Sequence, residues 1–165
     1  MQILQQAGHG MMQKTEFNIC TATLNDAHAI SEIEKKCFSS PWSENLIAEE
    51  ILKDNVVFLT AKSQEIVCGY VSGQLILDEF YISNIAVTAD FRNCGIASSL
   101  LDSLIRILKN KNCVMITLEV RQSNAFAIKL YEKFGFENLG IRKNFYSAPT
   151  ENAYIYTLYL TNNGD

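Results

Sequence analysis

Ala86-Val87-Thr88-Ala89-Asp90-Phe91-Arg92-Asn93-Cys94-Gly95-Ile96-Ala97 is the stretch at which the chain changes character. Before it, residues 56–62, 66–77 and 80–87 read as consecutive strands, the first two joined in hairpin fashion by a polar turn at Ser63 and Gln64. After it, helical and extended patterns alternate: helix 96–110, strand 113–120, helix 124–134, strand 136–142. Strand, helix, strand requires a parallel crossover, so the expected class is α/β with a mixed sheet. The helix opening at Ile96 puts Ile96, Leu100, Leu104 and Leu108 on one stripe, widened by Ala97, Leu101 and Ile105, as a helix lying flat on a sheet requires.

The flanks complete the pattern. A short strand is expected over residues 17–23, then a helix capped by Asn25 or Asp26 with apolar positions Ala27, Ile30, Ile33 and Cys37. Ser39, Ser40 and Pro41 break it, and Ser43 caps a second helix to about Lys53, with Glu44 to Glu50 placing negative charge in its early turns. A last strand over residues 153–160 is interleaved with Tyr154, Tyr156 and Tyr159.

Bulk composition narrows the chemistry. At 165 residues, with 48% hydrophobic and 19% charged residues, one globular domain over residues 15–165 is the expectation. No run approaches the ~18 apolar residues of a membrane span. A net charge of -4, from 18 acidic and 14 basic residues, argues against direct nucleic-acid binding. The five cysteines are scattered without a C-x-x-C pair and read as reduced thiols of a cytoplasmic protein. With only His9 and His28, neither a His-based triad nor a metal site has material, and no metal is expected. Residues 1–14 lack a signal peptide's basic start and apolar core, and are read as a disordered or expression-derived leader, with Met11 or Met12 as a candidate start.

The opening stretch suits a diphosphate. Unpaired amides in a helix's first turn point at an anion, the helix dipole adds roughly half a positive charge, and Gly95 removes the Cβ that would stand in the way. Arg92 adds a cation. A plain strand-to-helix turn has the same outline, so the loop alone leaves both readings open. A Walker loop is excluded, because G-K-[ST] is absent.

A second segment, Leu118-Glu119-Val120-Arg121-Gln122-Ser123-Asn124, continues through Tyr131 to Gly135-Phe136. Asn124 and Tyr131 are seven residues apart, so on one helix they share a face about 10 Å apart, within reach of one extended ligand. Gly135 sits where a left-handed helix cap belongs. Acyl transfer from a thioester to an amine needs a base for the amine proton and an acid for the thiolate. Glu119, opposed in facing to Val114, Ile116, Leu118 and Val120, can serve as the first. Tyr131, a phenol of reference pKa about 10, can serve as the second. A solvated strand-end carboxylate and a core tyrosine are the plainer readings of the same two residues.

With R-x-x-G-x-A at Arg92–Ala97 and L-E-V-R-x-S-N…L-Y…G-F at Leu118–Phe136, the chain resembles the GNAT N-acetyltransferases. Over residues 38–146 it is most similar to their bacterial ribosomal-protein alanine N-acetyltransferase branch, the RimI type. The resemblance implies the GNAT fold, an α/β mixed central sheet of about seven strands flanked by about four helices, and acetyl-CoA as cosubstrate. It implies that the main chain of Ile85, Ala86 and Val87 pairs with the pantetheine arm. The amides of Asn93, Cys94, Gly95, Ile96, Ala97 and Ser98, with Arg92, would hold the diphosphate, and Asn124 would contact the coenzyme. It assigns Glu119 as general base and Tyr131 as general acid. Trp42, in a Pro41-Trp42-Ser43 segment like that branch's, and Tyr146, after Arg142-Lys143-Asn144-Phe145, would flank an acceptor peptide, although burying a loop anchor explains both equally well. The acceptor implied is the N-terminal alanine of a small-subunit ribosomal protein. A protein α-amine, with reference pKa about 7.7–8.0 against about 10.4 for lysine, is also the easier nucleophile for a single carboxylate base. A lysine or small-molecule amine, or a non-catalytic acetyl-CoA-binding module, remains the alternative. Two positions depart from the branch: Ser147 replaces a proline and Asn152 an aspartate. A ping-pong route through Cys94 is disfavoured, since that residue belongs beside the diphosphate.

Overall fold

The computed structural model describes residues 15–160, and the leader expected over residues 1–14 lies outside them. The elements are β1 (Asn18–Thr21), α1 (Ala27–Cys37), α2 (Glu44–Ile51), β2 (Val56–Ser63), β3 (Ile66–Ile76), β4 (Glu79–Val87), α3 (Ile96–Asn110), β5 (Met115–Arg121), α4 (Ala125–Lys133), β6 (Glu137–Tyr146) and β7 (Glu151–Tyr159). Short 3-10 turns precede α1 and follow β4. The strands form one seven-stranded sheet in the order β1-β2-β3-β4-β5-β7-β6, antiparallel except between β4 and β5. The expected class, strand number and helix number agree with this architecture.

Helices cover both faces of the sheet. On one, the α3 stripe of Ile96, Leu100, Leu104 and Leu108 is buried against Leu59, Val71, Ile116, Leu118 and Val120. On the other, Ile30 and Ile33 of α1 and Ile47 of α2 pack on Phe58, Tyr70 and Ala86. Leu100 and Leu104 have no exposed area, and truncating either to alanine should cost ~2–5 kcal/mol.

The parallel pair positions the site. β4 and β5 are registered only from Glu79↔Met115 to Tyr81↔Thr117, then part. Immediately beyond, β4 carries a bulge: Ser72 pairs with Asn84 and Gly73 with Ile82, leaving Ser83 unpaired. A bulge bends its strand and increases the local twist. Gly73 is required opposite it, because a Cβ there would lie 2.3 Å from the Tyr81 carbonyl oxygen. The β5-facing edge of β4 from Ile82 to Val87 is therefore left without a strand partner.

Several boundaries differ from the sequence reading. The β2–β3 turn is at Gln64 and Glu65, with Gln64 at φ 55°. β6 runs on to Tyr146 and β7 begins at Glu151, because the hairpin pairing resumes at Tyr146↔Glu151 after an irregularity. β6 is the exposed edge of the sheet, so its polar stretch Arg142-Lys143-Asn144 shows no alternation to read. Asp26 holds the N-cap position of α1, but its side chain makes no cap hydrogen bond to that helix. Its carboxylate turns back to the Thr23 amide at 2.8 Å and pairs with Lys62 at 2.7 Å. Glu50 lies in the last turn of α2, not an early one, and meets Lys53 and Gln74.

Candidate active site

The turn from β4 into α3 runs from strand into helix as the sequence predicts. Gly95 caps α3 in the left-handed region at φ 81°, with no atom within 4 Å of where a Cβ would stand. Asn93 is also left-handed, at φ 60°. Arg92 Nε reaches the Val87 carbonyl oxygen at 3.4 Å, which holds the guanidinium at the end of β4. A cavity of about 410 Å³ opens between this turn, the free edge of β4 and α4, lined by Ile85, Ala86, Val87, Arg92, Asn93, Ala97, Asn124 and Tyr131. A 70 Å³ recess along Gly95, Ile96, Ala97 and Ser98 adjoins the same turn. Two predicted contact residues offer only main chain here. The Ile96 side chain is buried in the core, and the Cys94 thiol faces an open groove on the far side, near Thr15.

α4 brings Asn124 and Tyr131 to the same cavity, as their spacing predicted. Asn124 is the cap rather than the first helical residue, and its Oδ1 accepts the Ala127 amide at 3.2 Å. Its side-chain NH₂ makes no hydrogen bond to the described residues. Tyr131 is 4% exposed, packed by Phe136 and Tyr156. Burial pushes its phenol pKa well above the usual value, and the nearby Tyr146 adds to that. Gly135, at φ 88°, ends the helix in the left-handed cap expected of it.

Glu119 points from the opposite face of β5 to Leu118 and Val120, whose side chains are in the core beneath α3. Its side chain is 5% exposed, and Oε1 lies 3.3 Å from Arg142 Nε, too poorly aligned for a hydrogen bond. Burial raises the carboxyl above the ordinary range and the Arg142 charge draws it partly back. Glu119 lines neither this cavity nor the next one. Tyr146 stands close to it: burial first, then the Glu119 charge, push the Tyr146 phenol up to about 12.

A second cavity, of about 550 Å³, lies between the α1–α2 loop and the β6–β7 hairpin. Trp42 and Tyr146 both line it, and it shares Cys37 and Phe38 with the first. Two hubs absent from the sequence reading shape it. Arg121 donates to the Ser147 carbonyl oxygen at 3.2 Å, the Pro149 carbonyl oxygen at 3.0 Å and Glu151 Oε2 at 3.2 Å, and its guanidinium covers the Tyr146 ring at 4.3 Å. Glu151 in turn accepts the Ser123 amide at 2.8 Å, closing the hairpin onto the start of α4. The other hub is Glu34, wholly buried in α1. One of its oxygens accepts the Trp42 amide at 2.9 Å, and the other accepts Asn84 Nδ2 at 2.7 Å and the Tyr70 hydroxyl. The signal for Glu34 was a charged residue on the apolar stripe of Ile30, Ile33 and Cys37. Arg121 sat in plain view two residues after Glu119. Of the two departures, Asn152 is used within the hairpin, where its Oδ1 accepts the Asn144 amide at 2.9 Å. The Ser147 carbonyl oxygen serves the Arg121 clamp.

Among the described residues, no helix is long and apolar enough to cross a membrane, and no group of three His, Cys, Asp or Glu side chains gathers as a metal would need.

The acetyltransferase (GNAT) family model matches residues 27–136. The chain is 36% identical over 145 residues to the ribosomal protein bS18-alanine N-acetyltransferase of Haemophilus ducreyi, covering 85% of this chain and 98% of that one. To the Escherichia coli K12 enzyme of the same name it is 34% identical over 145 residues, covering 87% and 97%. The crystal structure of the ribosomal-protein-S18-alanine N-acetyltransferase from Escherichia coli superposes with a TM-score of 0.83 at 32% identity, over 91% of this chain and 97% of that one. The Arabidopsis thaliana NAA60 structure in complex with acetyl-CoA shares the fold, with a TM-score of 0.80 at 17% identity over 88% and 100%.

Proposed function

The chain belongs to the acetyltransferase (GNAT) family, and from that premise we propose that it transfers the acetyl group of acetyl-CoA to the N-terminal α-amine of a small-subunit ribosomal protein, with alanine as the acceptor residue. The observation that carries this reading is the meeting of two cavities that share Cys37 and Phe38, one lined by Ile85–Val87 on the free part of β4 and the other by Asn84 and by Arg121 at the end of β5. One suits a long, anionic coenzyme and the other an extended peptide. The similarity to bS18-alanine acetyltransferases, over nearly their whole length, supports the choice of acceptor. An enzyme with that acceptor works in the cytoplasm.

In this account the pantetheine amides pair with the free main chain of Ile85, Ala86 and Val87. The diphosphate rests on the amides from Asn93 to Ser98 beside Arg92, and the Asn124 NH₂ meets the arm. The acceptor enters between Trp42 and Tyr146. Its neutral nitrogen attacks the thioester carbon, the C–N bond forms, and the C–S bond breaks with its electron pair going to sulfur. Glu119 takes the proton released from nitrogen. Because it lines neither cavity, relay through a water suits it better than direct contact. Tyr131 gives its hydroxyl proton to the thiolate. The burial that raises the phenol also penalises the thiolate in the same dry space, so the transfer is not opposed by the full displacement of Tyr131.

The test is incubation of the protein with acetyl-CoA and peptides carrying bS18-type and unrelated N-termini, read by mass spectrometry. A mass gain of one acetyl group on the α-amine of the alanine peptide is expected. Gain on lysine side chains or small amines alone would refute the assignment.

A further inference from the structure

Asn84 occupies a position in which one chemical fact decides what it shows to a ligand. Its Nδ2 lies 2.7 Å from the Glu34 carboxylate, and a carboxylate only accepts hydrogen bonds. The amide is therefore turned with its NH₂ toward α1 and its Oδ1 the other way. Asn84 lines the 550 Å³ cavity, on the part of β4 that has parted from β5, one residue before the main chain proposed to pair with the pantetheine arm. Ser72, paired opposite it on β3, makes no hydrogen bond among the described residues and so does not occupy that oxygen.

Resting on the acetyl-transfer reading above, we infer that Asn84 Oδ1 is a specificity determinant of the acceptor site, accepting an N–H of the acceptor's amino-terminal end, and that Glu34 is the positioning residue that keeps this oxygen facing the cavity. The Trp42 amide and the Tyr70 hydroxyl, both donors to Glu34, hold the carboxylate itself in place. The same hub thus ties the acceptor loop to the cofactor strand. An oxygen held this way draws an amine N–H toward itself and leaves the nitrogen lone pair free to turn to the thioester. It offers nothing to a group that has no N–H or O–H to donate.

Glu34→Gln tests the polarity without touching Asn84. The Trp42 amide is a fixed donor and claims the glutamine oxygen, so the glutamine NH₂ faces Asn84. Asn84 must then reverse, and its NH₂ enters the cavity. Steady-state kinetics on the full chain with acetyl-CoA and an alanine-initiated peptide should show the peptide KM raised about three- to tenfold in both Asn84→Ala and Glu34→Gln, the loss of one neutral hydrogen bond. The acetyl-CoA KM should stay within about twofold, and Asn84→Ala should remain folded at the assay temperature, melting somewhat lower because the buried Glu34 carboxylate loses a donor. An unchanged peptide KM in folded Asn84→Ala overturns the inference, as does an equal rise in the acetyl-CoA KM. A rise in Asn84→Ala with none in Glu34→Gln overturns the assigned polarity. A wild-type protein that acetylates no amine sinks the functional reading, and this inference falls with it. Failure of the variants alone to differ from an active wild type sinks only the inference.

Discussion

Arg142 and Glu119 sit on strands that are not neighbours, yet Nε of the first lies 3.3 Å from Oε1 of the second. β7 lies between the two strands, and its residue registered with Arg142 is the small Ala153. Burial raises the Glu119 carboxyl and Arg142 restrains that rise, so Arg142 lowers the pH at which the proposed base becomes available. Arg142→Met should move the acid limb of kcat/KM to higher pH, and a pH–rate profile for both proteins measures it. An unmoved limb would separate Glu119 from proton transfer.

Because the folded state favours the protonated form of Glu119, its contribution to stability is full below the unfolded carboxyl pKa and is lost as pH rises through the elevated folded value. Glu119→Gln, neutral at every pH, should therefore melt no lower than wild type near pH 8, and its advantage should shrink toward pH 4. In turnover the same variant should lose about 10²-fold or more, given the usual contribution of a general base. Melting curves at the two pH values and rates at one pH test the two halves separately.

Tyr131→Phe removes only a hydroxyl from a packed ring, so folding and acetyl-CoA affinity should be nearly retained while kcat falls about 10²-fold or more. Since burial holds the phenol protonated well beyond the usual range, the wild-type profile should show no basic limb from Tyr131 below pH ~10. Calorimetric titration with coenzyme and initial rates check both.

Gly95 has free space around it but a left-handed backbone. Gly95→Val should therefore fail through conformation rather than crowding, at a cost of ~1–2 kcal/mol. The expected result is weaker acetyl-CoA binding with a folded core, seen by coenzyme titration beside circular dichroism.

Arg121→Ala removes the contacts to Ser147, Pro149, Glu151 and the Tyr146 ring together. It should raise the acceptor KM by about tenfold or more while leaving the acetyl-CoA KM nearly unchanged. Arg121→Lys should recover only part, since an ammonium lacks the planar fork.

The sequence made the cofactor half of this site legible and the acceptor half much less so. Arg92–Ala97 and the Asn124–Tyr131 spacing are local: each is set by a strand end or a helix period, which a linear reading can follow. The α3 stripe was legible for the same reason. Glu34, Asn84 and Arg121 act through partners far along the chain, Glu34 with Asn84 and Arg121 with Pro149. The apolar stripe around Glu34 marks it as a buried charge, but no neighbouring residue names the distant partner of any of the three. The extension of β6 to Tyr146 escaped for a different reason, since an exposed edge strand has no buried face to impose alternation. The parting of β4 from β5 went unread although the bulge at Ser83 leaves a trace, switching the residues that face α3 from Phe80 and Ile82 to Ile85 and Val87, because both faces of β4 carry apolar residues and the switch does not stand out.

The most direct test of the account is a crystal structure with a bisubstrate analogue, coenzyme A joined through an acetyl bridge to an alanine-initiated peptide. The account predicts the coenzyme arm along Ile85–Val87, the peptide between Trp42 and Tyr146, and the bridge in the gap between β4 and β5, with its sulfur within hydrogen-bond reach of the Tyr131 hydroxyl. An analogue bound with its bridge outside that gap, or with Tyr131 and Glu119 both turned away from it, would contradict it.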